Sequence, residues 1–514
     1  MYRIGIDVGG TNTDAVILDE KLNVIHSVKT ATTKDVQGGI YNSLVQIIKE
    51  SNVDKSKIKV AMLGSTHCTN ALVERKNLNK VGVIRIGKPA TTLIPTFIDW
   101  PQELRDEIQY KSILIDGGYE IDGRLLNELN KEEVISFCKE IKGKVEAVSI
   151  SGVFSPINKD QEEQVKQWVK EELGDIFVSI SSDIGSIGIL ERENAAILNS
   201  ALVNVGKSVC IGFDKALKDL GIDAKIYFSQ NDGTLMNLEH TLNYPIFTIG
   251  CGITNSIRGA SFLSKVENAI VLDVGGTTTD IGVIANNFPR QSTTPSSIGG
   301  VFTNFRMPDM ISIGIGGGTI VINEDNNIKI GPKSVGYEIT KKALIFGGDT
   351  TTLSDIATKV NNAFEDKINN IENLDYDYCQ NVFEKMTKML EYSIDKMKTS
   401  KEDVDVILTG GGSIVVPSKL EGVKKIHTPP HYKSANAVGA ALGQISGEVE
   451  NIYSLELISR ENAILDATNK AREKAVEAGA NTDTITVLSI DEVGLSYLPG
   501  RKTKIKIKVI GELI

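Results

Sequence analysis

The sequence is poor in the residues that build disulfide, zinc and redox sites. Its 514 residues include only five cysteines and five histidines. The cysteines are too far apart for a CxxC site, which excludes that class of metal or redox centre. They are Cys68, Cys138, Cys210, Cys251 and Cys379. His427 and His431 have the spacing of metal ligands on a helix, but Pro429 and Pro430 between them forbid that helix, so we predict a surface loop.

Basic blocks and long hydrophobic runs are also missing. The formal net charge is −10, and no stretch of lysine and arginine is longer than a few residues, so nucleic acid is not an expected partner. No run of about 18 uncharged apolar residues occurs, so no membrane span is expected. Residues 1–7 begin directly with a strand-like pattern and leave no room for a signal peptide, and we expect a cytoplasmic protein.

The composition that remains is that of a folded chain. Apolar residues make up 41% and charged residues 24% of the sequence, close to the average for globular proteins. At about 150 residues per domain, the length predicts about three domains. The chain is therefore long enough for two mixed α/β lobes and a cleft between them.

One octapeptide occurs twice, about half the chain apart. Residues 7–14 have the sequence DVGGTNTD and residues 273–280 have the sequence DVGGTTTD, so seven of eight positions are identical. Short β-branched runs flank both copies, which predicts a strand, a turn and a second strand. The repeat indicates two related lobes that each begin with the same hairpin.

Two better-known phosphate-binding motifs are excluded. A Rossmann fingerprint requires GxGxxG spacing between a strand and a helix, and neither feature is present. Gly206-Lys207-Ser208 resembles the end of a P-loop, but Ala201 stands where glycine is required and a helix-like run, residues 193–202, precedes it.

The residue types of the repeated octapeptide suit a polyphosphate. Glycines at the turn leave backbone N–H groups uncovered, so a phosphate can approach closely. Threonine hydroxyls add neutral donors. Asp7 and Asp273, at the ends of the first strands, are placed to hold Mg²⁺, which prefers carboxylate, water and phosphate oxygens. A pair of ordinary glycine-rich turns is the alternative, and the near-identity of the two copies favours a clamp around one polyphosphate.

A third glycine cluster follows in the second half of the chain. A strand pattern at residues 404–409 runs into Gly410-Gly411-Gly412-Ser413, which would let the backbone contact an adenosine. A helix is predicted before it, with a core-facing row of Phe383, Met386, Leu390, Ile394 and Met397. The small residues 434–442 after it would allow close helix packing, and we add Asn436 from this segment to the expected nucleotide contacts.

Together the three motifs resemble the phosphate-1, phosphate-2 and adenosine motifs of the superfamily that contains actin, Hsp70 chaperones and sugar and acetate kinases. The resemblance implies an α/β fold with two actin-like, ribonuclease H-like lobes, an ATP cleft between them and a small C-terminal α+β module. We expect an N-terminal lobe at residues 1–190, an ATPase lobe at 191–445 and the C-terminal module at 446–514.

Four further segments are similar to the hydantoinase/oxoprolinase family, which includes the A subunit of N-methylhydantoinase, part of 5-oxoprolinase and the β subunit of acetone carboxylase. Residues 64–75 resemble its GTTxATNAxLER stretch and residues 230–236 its QSNGGLM stretch. Residues 312–319 resemble SIGAGGGS, and Leu498-Pro499-Gly500 resembles a YxPG turn.

The sequence departs from the family pattern at three places. Cys68 stands where alanine is usual, Asp232 stands where glycine is usual, and residues 248–256 match an LLSGPAGGV-like stretch poorly. We expect these segments on the substrate side and at a hinge. The departures therefore bear on the identity of the substrate more than on the ATP site.

The family resemblance implies an ATP-dependent hydrolase subunit. It would phosphorylate a carbonyl oxygen of a cyclic amide, such as a hydantoin, 5-oxoproline or a related lactam, for ring opening with a hydantoinase B-like partner subunit. ATP and Mg²⁺ are the implied cofactors. A small-molecule kinase and a nucleotide-driven conformational protein share the ATP motifs and stay open as alternatives.

The implied site residues fall into three groups. Asp7, Asp273, Asp14 and Asp280 are the candidate catalytic carboxylates. Asp7 and Asp273 would organise Mg²⁺, and Asp14 or Asp280 would either assist proton transfer or simply cap its hairpin. The expected ATP contacts are Gly9, Gly10, Thr11, Asn12, Thr13, Gly275, Gly276, Thr277, Thr278, Thr279, Gly410, Gly411, Gly412, Ser413 and Asn436. Thr66, His67 and Asn70 are expected to line the substrate side.

Other conspicuous residues have structural interpretations. Glu74 and Arg75 are predicted to form an ion pair on a helix, and Cys68 lacks a base partner that would make it a nucleophile. Residues 116–123 are predicted to form glycine-containing hairpin turns.

The C-terminal module has its own pattern. The alternating Lys504, Lys506 and Lys508 predict an edge strand with a solvated basic face. A helix is expected from a cap at Ser459 to Gly479. Its small-residue stripe consists of Ala463, Ala467, Ala471 and Ala475.

Overall fold

The structure is a computed structural model of the 514-residue chain. It describes residues 1–10, 12–32, 36–292, 296–305, 307–324, 327–495 and 500–513. Thr11, an expected phosphate contact, and Leu498 and Pro499 of the YxPG-like turn lie outside the described residues.

The described residues form twenty-three strands, numbered in chain order. They are β1 Tyr2–Val8, β2 Asn12–Leu18, β3 Val24–Ala31, β4 Ile58–Ser65, β5 Val81–Lys88, β6 Gln109–Asp116, β7 Ala147–Gly152, β8 Phe177–Ile180, β9 Lys225–Ser229, β10 Leu235–Asn237, β11 Ala269–Val274, β12 Thr279–Ala285, β13 Phe288–Pro289, β14 Ser296–Ile298, β15 Val301–Thr303, β16 Met310–Ile313, β17 Thr319–Glu324, β18 Asn327–Ser334, β19 Val404–Thr409, β20 Val423–His427, β21 Ile445–Ser454, β22 Thr486–Gly494 and β23 Lys502–Gly511.

The same part of the chain contains thirteen α-helices. They are α1 Val36–Ser51, α2 His67–Glu74, α3 Gln102–Ile108, α4 Lys131–Ile141, α5 Asp160–Leu173, α6 Ile189–Asp219, α7 Leu238–Asn243, α8 Cys251–Ser264, α9 Ile339–Lys342, α10 Leu353–Asn361, α11 Tyr376–Met397, α12 Ala435–Ala441 and α13 Arg460–Glu477.

The first lobe is built on a nine-stranded mixed sheet. Its strand order is β22-β23-β21-β10-β9-β4-β1-β2-β3. Strand β1 pairs antiparallel with β2 and parallel with β4. Apolar side chains of α1, α6 and α13 complete the core against this sheet. The sheet therefore places the β1–β2 hairpin inside a covered lobe.

The second lobe repeats this local plan. Its sheet has the order β13-β12-β11-β19-β20, and β16 pairs with β12. Strand β11 pairs antiparallel with β12 and parallel with β19, and α10 and α11 pack against the sheet. The predicted two-lobed α/β architecture with a hairpin at the start of each lobe is confirmed.

The sheets divide the chain differently from the boundaries expected at residues 190 and 445. Strands β9 and β10 come from the expected ATPase lobe, and β21–β23 come from the expected C-terminal module, yet all of them belong to the first sheet. Within the expected N-terminal lobe, β5–β8 form a separate parallel sheet in the order β6-β5-β7-β8. Parallel strands can pair across long connections, so a local pattern does not reveal which sheet they join.

Helix α6 is the longest helix among the described residues, with 31 residues. Its length and composition would allow it to cross a membrane, but 72% of its most apolar window is buried inside the protein. It contains the predicted helical run 193–202 and packs against β7 and α1. Its apolar surface is therefore explained by the core.

The C-terminal helix forms as predicted. The Ser459 side chain accepts a hydrogen bond from the Asn462 backbone N–H, and Gly479 follows the helix at positive φ. The four alanines of the stripe are fully buried. A Cβ at Gly447 of β21 would collide with the Ala471 carbonyl oxygen, so the alanine stripe lets α13 lie directly on this sheet.

The prediction of a solvated edge strand at the three lysines is wrong. Strand β23 lies between β21 and β22. Lys506 is 2.5 Å from Glu448, Lys508 is 2.7 Å from Asp232, and both lysine side chains are nearly buried. Their charges are compensated by carboxylates inside the sheet, which the sequence alternation alone does not show.

Candidate functional site

The two copies of the octapeptide form equivalent hairpin turns. In the first, the Gly9 N–H donates to the Asn12 carbonyl at 3.0 Å, and in the second the Gly275 N–H donates to the Thr278 carbonyl at 2.9 Å. Asp7 lies opposite Asp14, and Asp273 lies opposite Asp280. Gly10 and Gly276 have open space where a side chain would stand, so both turns present uncovered backbone. The predicted strand–turn–strand geometry is confirmed at the described residues of both copies.

Helix α8 joins the two hairpins through consecutive residues. The Asn255 amide donates to Asp7 Oδ1 at 2.9 Å. The Ser256 hydroxyl shares a hydrogen bond of 3.0 Å with the Thr409 hydroxyl, and both hydroxyls act on Asp273. One turn of one helix therefore holds the carboxylates of the first and second halves near each other.

The four aspartates of the repeats form an electrostatically coupled group. Burial and the negative charge of Asp273 raise the pKa of Asp7 to about 6, although the hydrogen bond from the Asn255 amide lowers it. Burial raises the pKa of Asp14 to about 7 and that of Asp280 to about 6. Burial also raises the pKa of Asp273. The site concentrates negative charge that a bound cation would stabilise.

Glycine is required beside this group for steric reasons. Gly64 of β4 lies opposite Asp7, and a Cβ there would collide with Asp7 Oδ1 and the Asn255 amide. Gly410 has a φ of +82°, and a Cβ there would collide with the Val274 carbonyl. Both glycines let neighbouring strands bring polar groups up to the carboxylates.

The third glycine cluster lies on the second hairpin. The Gly412 N–H donates to the Val274 carbonyl at 2.8 Å. The Ser413 hydroxyl donates to the Thr409 carbonyl at 2.6 Å, and the surroundings of Gly411 are open. The structure thus brings residues 410–413 to the turn at residues 275–278, as a shared nucleotide site requires.

The glycine-rich segment 314–318 supports the same turn from another side. The Gly317 N–H donates to the Gly275 carbonyl at 3.1 Å, and the Gly318 N–H donates to the Gly276 carbonyl at 2.7 Å. A Cβ at Gly316 would lie only 2.7 Å from the Thr277 backbone. The segment therefore fixes the second turn through its carbonyl groups.

Asn436 reaches the first hairpin. Its amide lies 3.3 Å from Asp7 Oδ2, so amides from α8 and α12 hold the two oxygens of one carboxylate. Glycines allow the two helices to cross closely. A Cβ at Gly259 would collide with the Ala435 carbonyl, and a Cβ at Gly439 would collide with the Asn255 carbonyl.

Two of the predicted phosphate-binding hydroxyls are used inside the protein. The hydroxyl of buried Thr13 lies 3.2 Å from the Thr32 hydroxyl, and the hydroxyl of buried Thr279 donates to the Ile315 carbonyl at 2.6 Å. These side chains hold the hairpins in place. Asn12, Thr277 and Thr278 are partly exposed at the turns and stay predicted phosphate contacts.

The predicted substrate-side residues lie beside the first hairpin. The Thr66 backbone N–H and hydroxyl both donate to the Val8 carbonyl at 3.2 Å, and the Asn70 amide lies 3.4 Å from the Thr66 hydroxyl. His67 is 2.6 Å from the Ser65 hydroxyl, and burial lowers its pKa. This corner therefore presents neutral polar groups.

Cys68 does not have the properties of a nucleophile. It is buried, and burial raises the pKa of its thiol to about 11, so the reactive thiolate is scarce at neutral pH. This agrees with the sequence interpretation.

The expected ion pair between Glu74 and Arg75 does not form. Arg75 pairs with Glu103 at 3.1 Å, and Glu74 pairs with Lys76 at 3.6 Å. Arg75 occupies the left-handed cap position after α2, which turns its side chain away from that of Glu74.

The histidine pair also lies where no helix forms. His427 ends β20 and is 2.9 Å from Asp405 Oδ1, and His431 stands in a turn. Among the described residues, no three His, Cys, Asp or Glu side chains are grouped to hold a metal ion.

The carboxylates of Asp7 and Asp273 fit Mg²⁺ chemically. Both are hard oxygen ligands, their neighbours are neutral amide and hydroxyl donors, and each raises the energy of the other's charge. Mg²⁺ commonly binds through one or two carboxylates together with water and phosphate oxygens. The pair therefore suits a magnesium ion that enters with a polyphosphate.

Three important residues were missed from the sequence. Asn255 and Ser256 end the segment 248–256, and the poor match of that segment to the family pattern was the available signal. Lys29 lies opposite Asp14, 3.1 Å from Asp14 Oδ1. A register shift between Ile17 and Leu18, next to the turn between β2 and β3, sets this pairing, so counting from the turn would have placed Val28 opposite Asp14 instead.

Asp232 has a buried partner at the C-terminus. The Lys508 ammonium and the Ser446 hydroxyl bind its Oδ2 at 2.7 and 2.8 Å. Burial alone would raise the pKa of Asp232, but these partners hold that pKa far below its usual range. This unusual aspartate therefore ties the 230–236 loop to the C-terminal strands.

Comparison with known proteins decides the family. Residues 3–173 match the hydantoinase/oxoprolinase N-terminal region, and residues 192–397 match the hydantoinase/oxoprolinase family. The chain belongs to the hydantoinase/oxoprolinase family. The resemblance inferred from the motifs is thereby confirmed.

Relatives of known sequence are longer than this member of the family. An uncharacterised protein of Methanocaldococcus jannaschii is 26% identical over an alignment of 430 residues, gaps included, that covers 77% of this chain and 62% of that protein. The caprolactamase subunit alpha of Pseudomonas jessenii is 26% identical over an alignment of 387 residues, gaps included, that covers 69% of this chain and 53% of that subunit. The alignments thus span a little over half of each relative.

Solved structures share the fold. The ATP-dependent caprolactamase of Pseudomonas jessenii superposes with a TM-score of 0.78 at 18% identity and covers 100% of this chain and 88% of that chain. Nucleotide-free acetone carboxylase superposes with a TM-score of 0.71 at 16% identity and covers 99% and 88%. At these identities the likeness establishes the architecture.

Proposed function

We propose that the protein is an ATP-dependent subunit that activates a cyclic amide by phosphorylating its carbonyl oxygen. Family membership and the resemblance to caprolactamase support this class of reaction. ATP and Mg²⁺ are the proposed cofactors, and a hydantoin, 5-oxoproline or a related lactam is the proposed substrate.

The observation that carries the proposal is the bridge formed by α8. Asn255 binds Asp7 of the first hairpin, while Ser256 binds Thr409 beside Asp273 of the second. Two glycine turns with uncovered backbone are thereby held beside one group of carboxylates. A triphosphate between the turns would accept N–H donors from both halves.

Different residues bind the phosphates, the adenosine and the magnesium ion. The Gly9 and Gly275 N–H groups close the two turns, the open backbone at Gly10 and Gly276 binds phosphate oxygens, and residues 410–413 hold the adenosine. Magnesium bound by Asp7 and Asp273 would neutralise charge on the phosphates.

The transfer exchanges one bond to phosphorus for another. The terminal phosphorus loses its bond to the bridging oxygen of ADP and gains a bond to the amide oxygen. The amide N–H proton passes to Asp280, which lies opposite the neutral Ser312, and the resulting imidate phosphate is a better electrophile than the amide.

The corner formed by Thr66, His67 and Asn70 is the proposed substrate side. Its groups are neutral donors and acceptors close to Val8 of the first hairpin. Neutral hydrogen-bonding groups suit the ring carbonyl and N–H that hydantoins, 5-oxoproline and related lactams share.

We further propose that ring opening needs a hydantoinase B-like partner subunit. The caprolactamase relative is itself named as a subunit. The purified chain should therefore bind and slowly hydrolyse ATP, while full-rate ring opening requires the partner.

A panel of hydantoins and lactams tests this function through ADP release. We expect one ring class to raise the rate of ADP formation, and Asp273→Asn to abolish the increase. Recovery of a stable phosphorylated product would instead favour a small-molecule kinase. Full-rate ring opening by the purified chain alone would contradict the proposed division between subunits.

A further inference from the structure

The two halves of the site differ at one position next to the repeats. Asp14 of β2 lies opposite Lys29 of β3. At the equivalent place in the second half, Asp280 of β12 lies opposite Ser312 of β16. The octapeptides are almost identical, but the third strand supplies a cation in the first half and a neutral hydroxyl in the second.

Lys29 combines a buried partner with an accessible ammonium. Its Nζ is 3.1 Å from Asp14 Oδ1, the Asp14 side chain is 3% exposed, and the Lys29 side chain is 38% exposed. Its positive charge also acts on Asp7 and Asp273. Lys29 therefore lies beside the carboxylate group of the cleft and keeps a solvent-facing side.

An ammonium has three N–H donors, and Lys29 pairs with Asp14 by charge at 3.1 Å. The other donors can bind anionic oxygens, which form strong charge-assisted hydrogen bonds. A triphosphate that enters a group of four carboxylates needs compensating positive charge. The adenosine turn at residues 410–413 lies on the second hairpin, so the far end of the triphosphate would reach the first.

We propose that Lys29 binds the terminal phosphoryl group of the nucleotide, with Asp14 as the carboxylate that orients its ammonium. This inference rests on the proposed function, because it takes a nucleoside triphosphate as the ligand. It makes the first half of the repeat the phosphoryl-binding half. Ser312 gives the second half no such cation.

The test compares nucleotides that differ in phosphate number. Isothermal titration in the presence of Mg²⁺ measures the binding of three nucleotides. They are the β,γ-imido analogue of ATP, unmodified ADP and unmodified AMP. We expect Lys29→Met to weaken the ATP analogue about tenfold or more, to weaken ADP less, and to leave AMP unchanged. Lys29→Arg should retain most of the affinity, and Lys59→Met, at an exposed lysine of the same sheet, should have no effect.

A double variant separates phosphate binding from a structural role. Lys29→Met leaves Asp14 buried without its cation, whereas Asp14→Asn with Lys29→Met removes both charges and should restore thermal stability. We expect this double variant still to bind the ATP analogue weakly. Restored affinity, or an equal loss for all three nucleotides in Lys29→Met, would show that Lys29 only supports Asp14 and would overturn the inference.

Nucleotide binding by the unmodified protein distinguishes failure of this inference from failure of the proposed function. If it binds the ATP analogue and Lys29→Met binds it equally well, only the role of Lys29 is refuted. If the unmodified protein binds no nucleotide, the proposed function fails together with the inference.

Discussion

At the scale of single residues, the site is defined by buried carboxylates whose pKa values are raised by their burial. Asp7, Asp14 and Asp280 each have a pKa raised to about 6 or 7, with burial as the main cause. Strongly shifted groups of this kind are typical of functional clefts. In the absence of ligand, their ionisation opposes folding, because the folded state holds their protons more tightly than the unfolded chain does.

This produces a pH dependence with a definite sign. The pKa of Asp280 rises from 3.8 to about 6, so the stability linked to its protonation is present below 3.8 and is lost as the pH rises through 6. We expect the free energy of unfolding without nucleotide and Mg²⁺ to fall between about pH 4 and pH 7. In Asp280→Asn, which cannot ionise there, the fall should be shallower.

Urea unfolding at a series of pH values measures this effect. Asp223→Asn is the matched control, because Asp223 is exposed, and its pH dependence should equal that of the unmodified protein. An equally steep fall in Asp280→Asn and in the unmodified protein would contradict the described burial of the cleft carboxylates.

At the scale of secondary structure, α8 is the element on which the site depends. It carries Asn255 toward Asp7 and Ser256 toward Thr409. Its close crossing with α12 sets the position of these side chains, because the Asn255 carbonyl lies where a Cβ at Gly439 would stand. Movement of the crossing would displace the amides that hold Asp7.

Substitution at the crossing should therefore affect stability. We expect Gly439→Ala to lower the free energy of unfolding by about 1–3 kcal/mol through overpacking. Gly252→Ala, elsewhere on α8, is the control, since its Cβ would meet only Thr66 Cγ2 at 3.6 Å. Chemical denaturation of both variants measures the difference, and an equal stability for the two would contradict the close crossing.

Elements with a strong local pattern could be predicted from the sequence. The two hairpins follow from β-branched runs around glycines, and α11 and α13 follow from periodic apolar or small residues. The surroundings of β23 could not be predicted, since the partners of Lys506 and Lys508 come from segments distant in sequence. Asn255 and Lys29 were missed for the same reason, because their importance lies in partners on other strands.

At the scale of the whole molecule, the repeat explains two lobes but not the assignment of every segment to a lobe. Strands β21–β23 extend the first sheet, and Lys508 reaches Asp232 in the loop after β9. The C-terminal segment is therefore part of the first lobe and supports the loop between β9 and β10. Local patterns predicted its helix and the strand that contains Lys504, Lys506 and Lys508, whereas its docking depends on a pairing across the chain.

The central claim is that both halves of the molecule hold one magnesium–nucleotide complex. Isothermal titration of the β,γ-imido ATP analogue, with and without Mg²⁺, tests it most directly in the unmodified protein, Asp7→Asn and Asp273→Asn. We expect one Mg²⁺-dependent site per chain, with the Mg²⁺-dependent affinity lost when either aspartate is replaced. Absence of binding to the unmodified protein, or unchanged Mg²⁺-dependent binding in both variants, would contradict the claim.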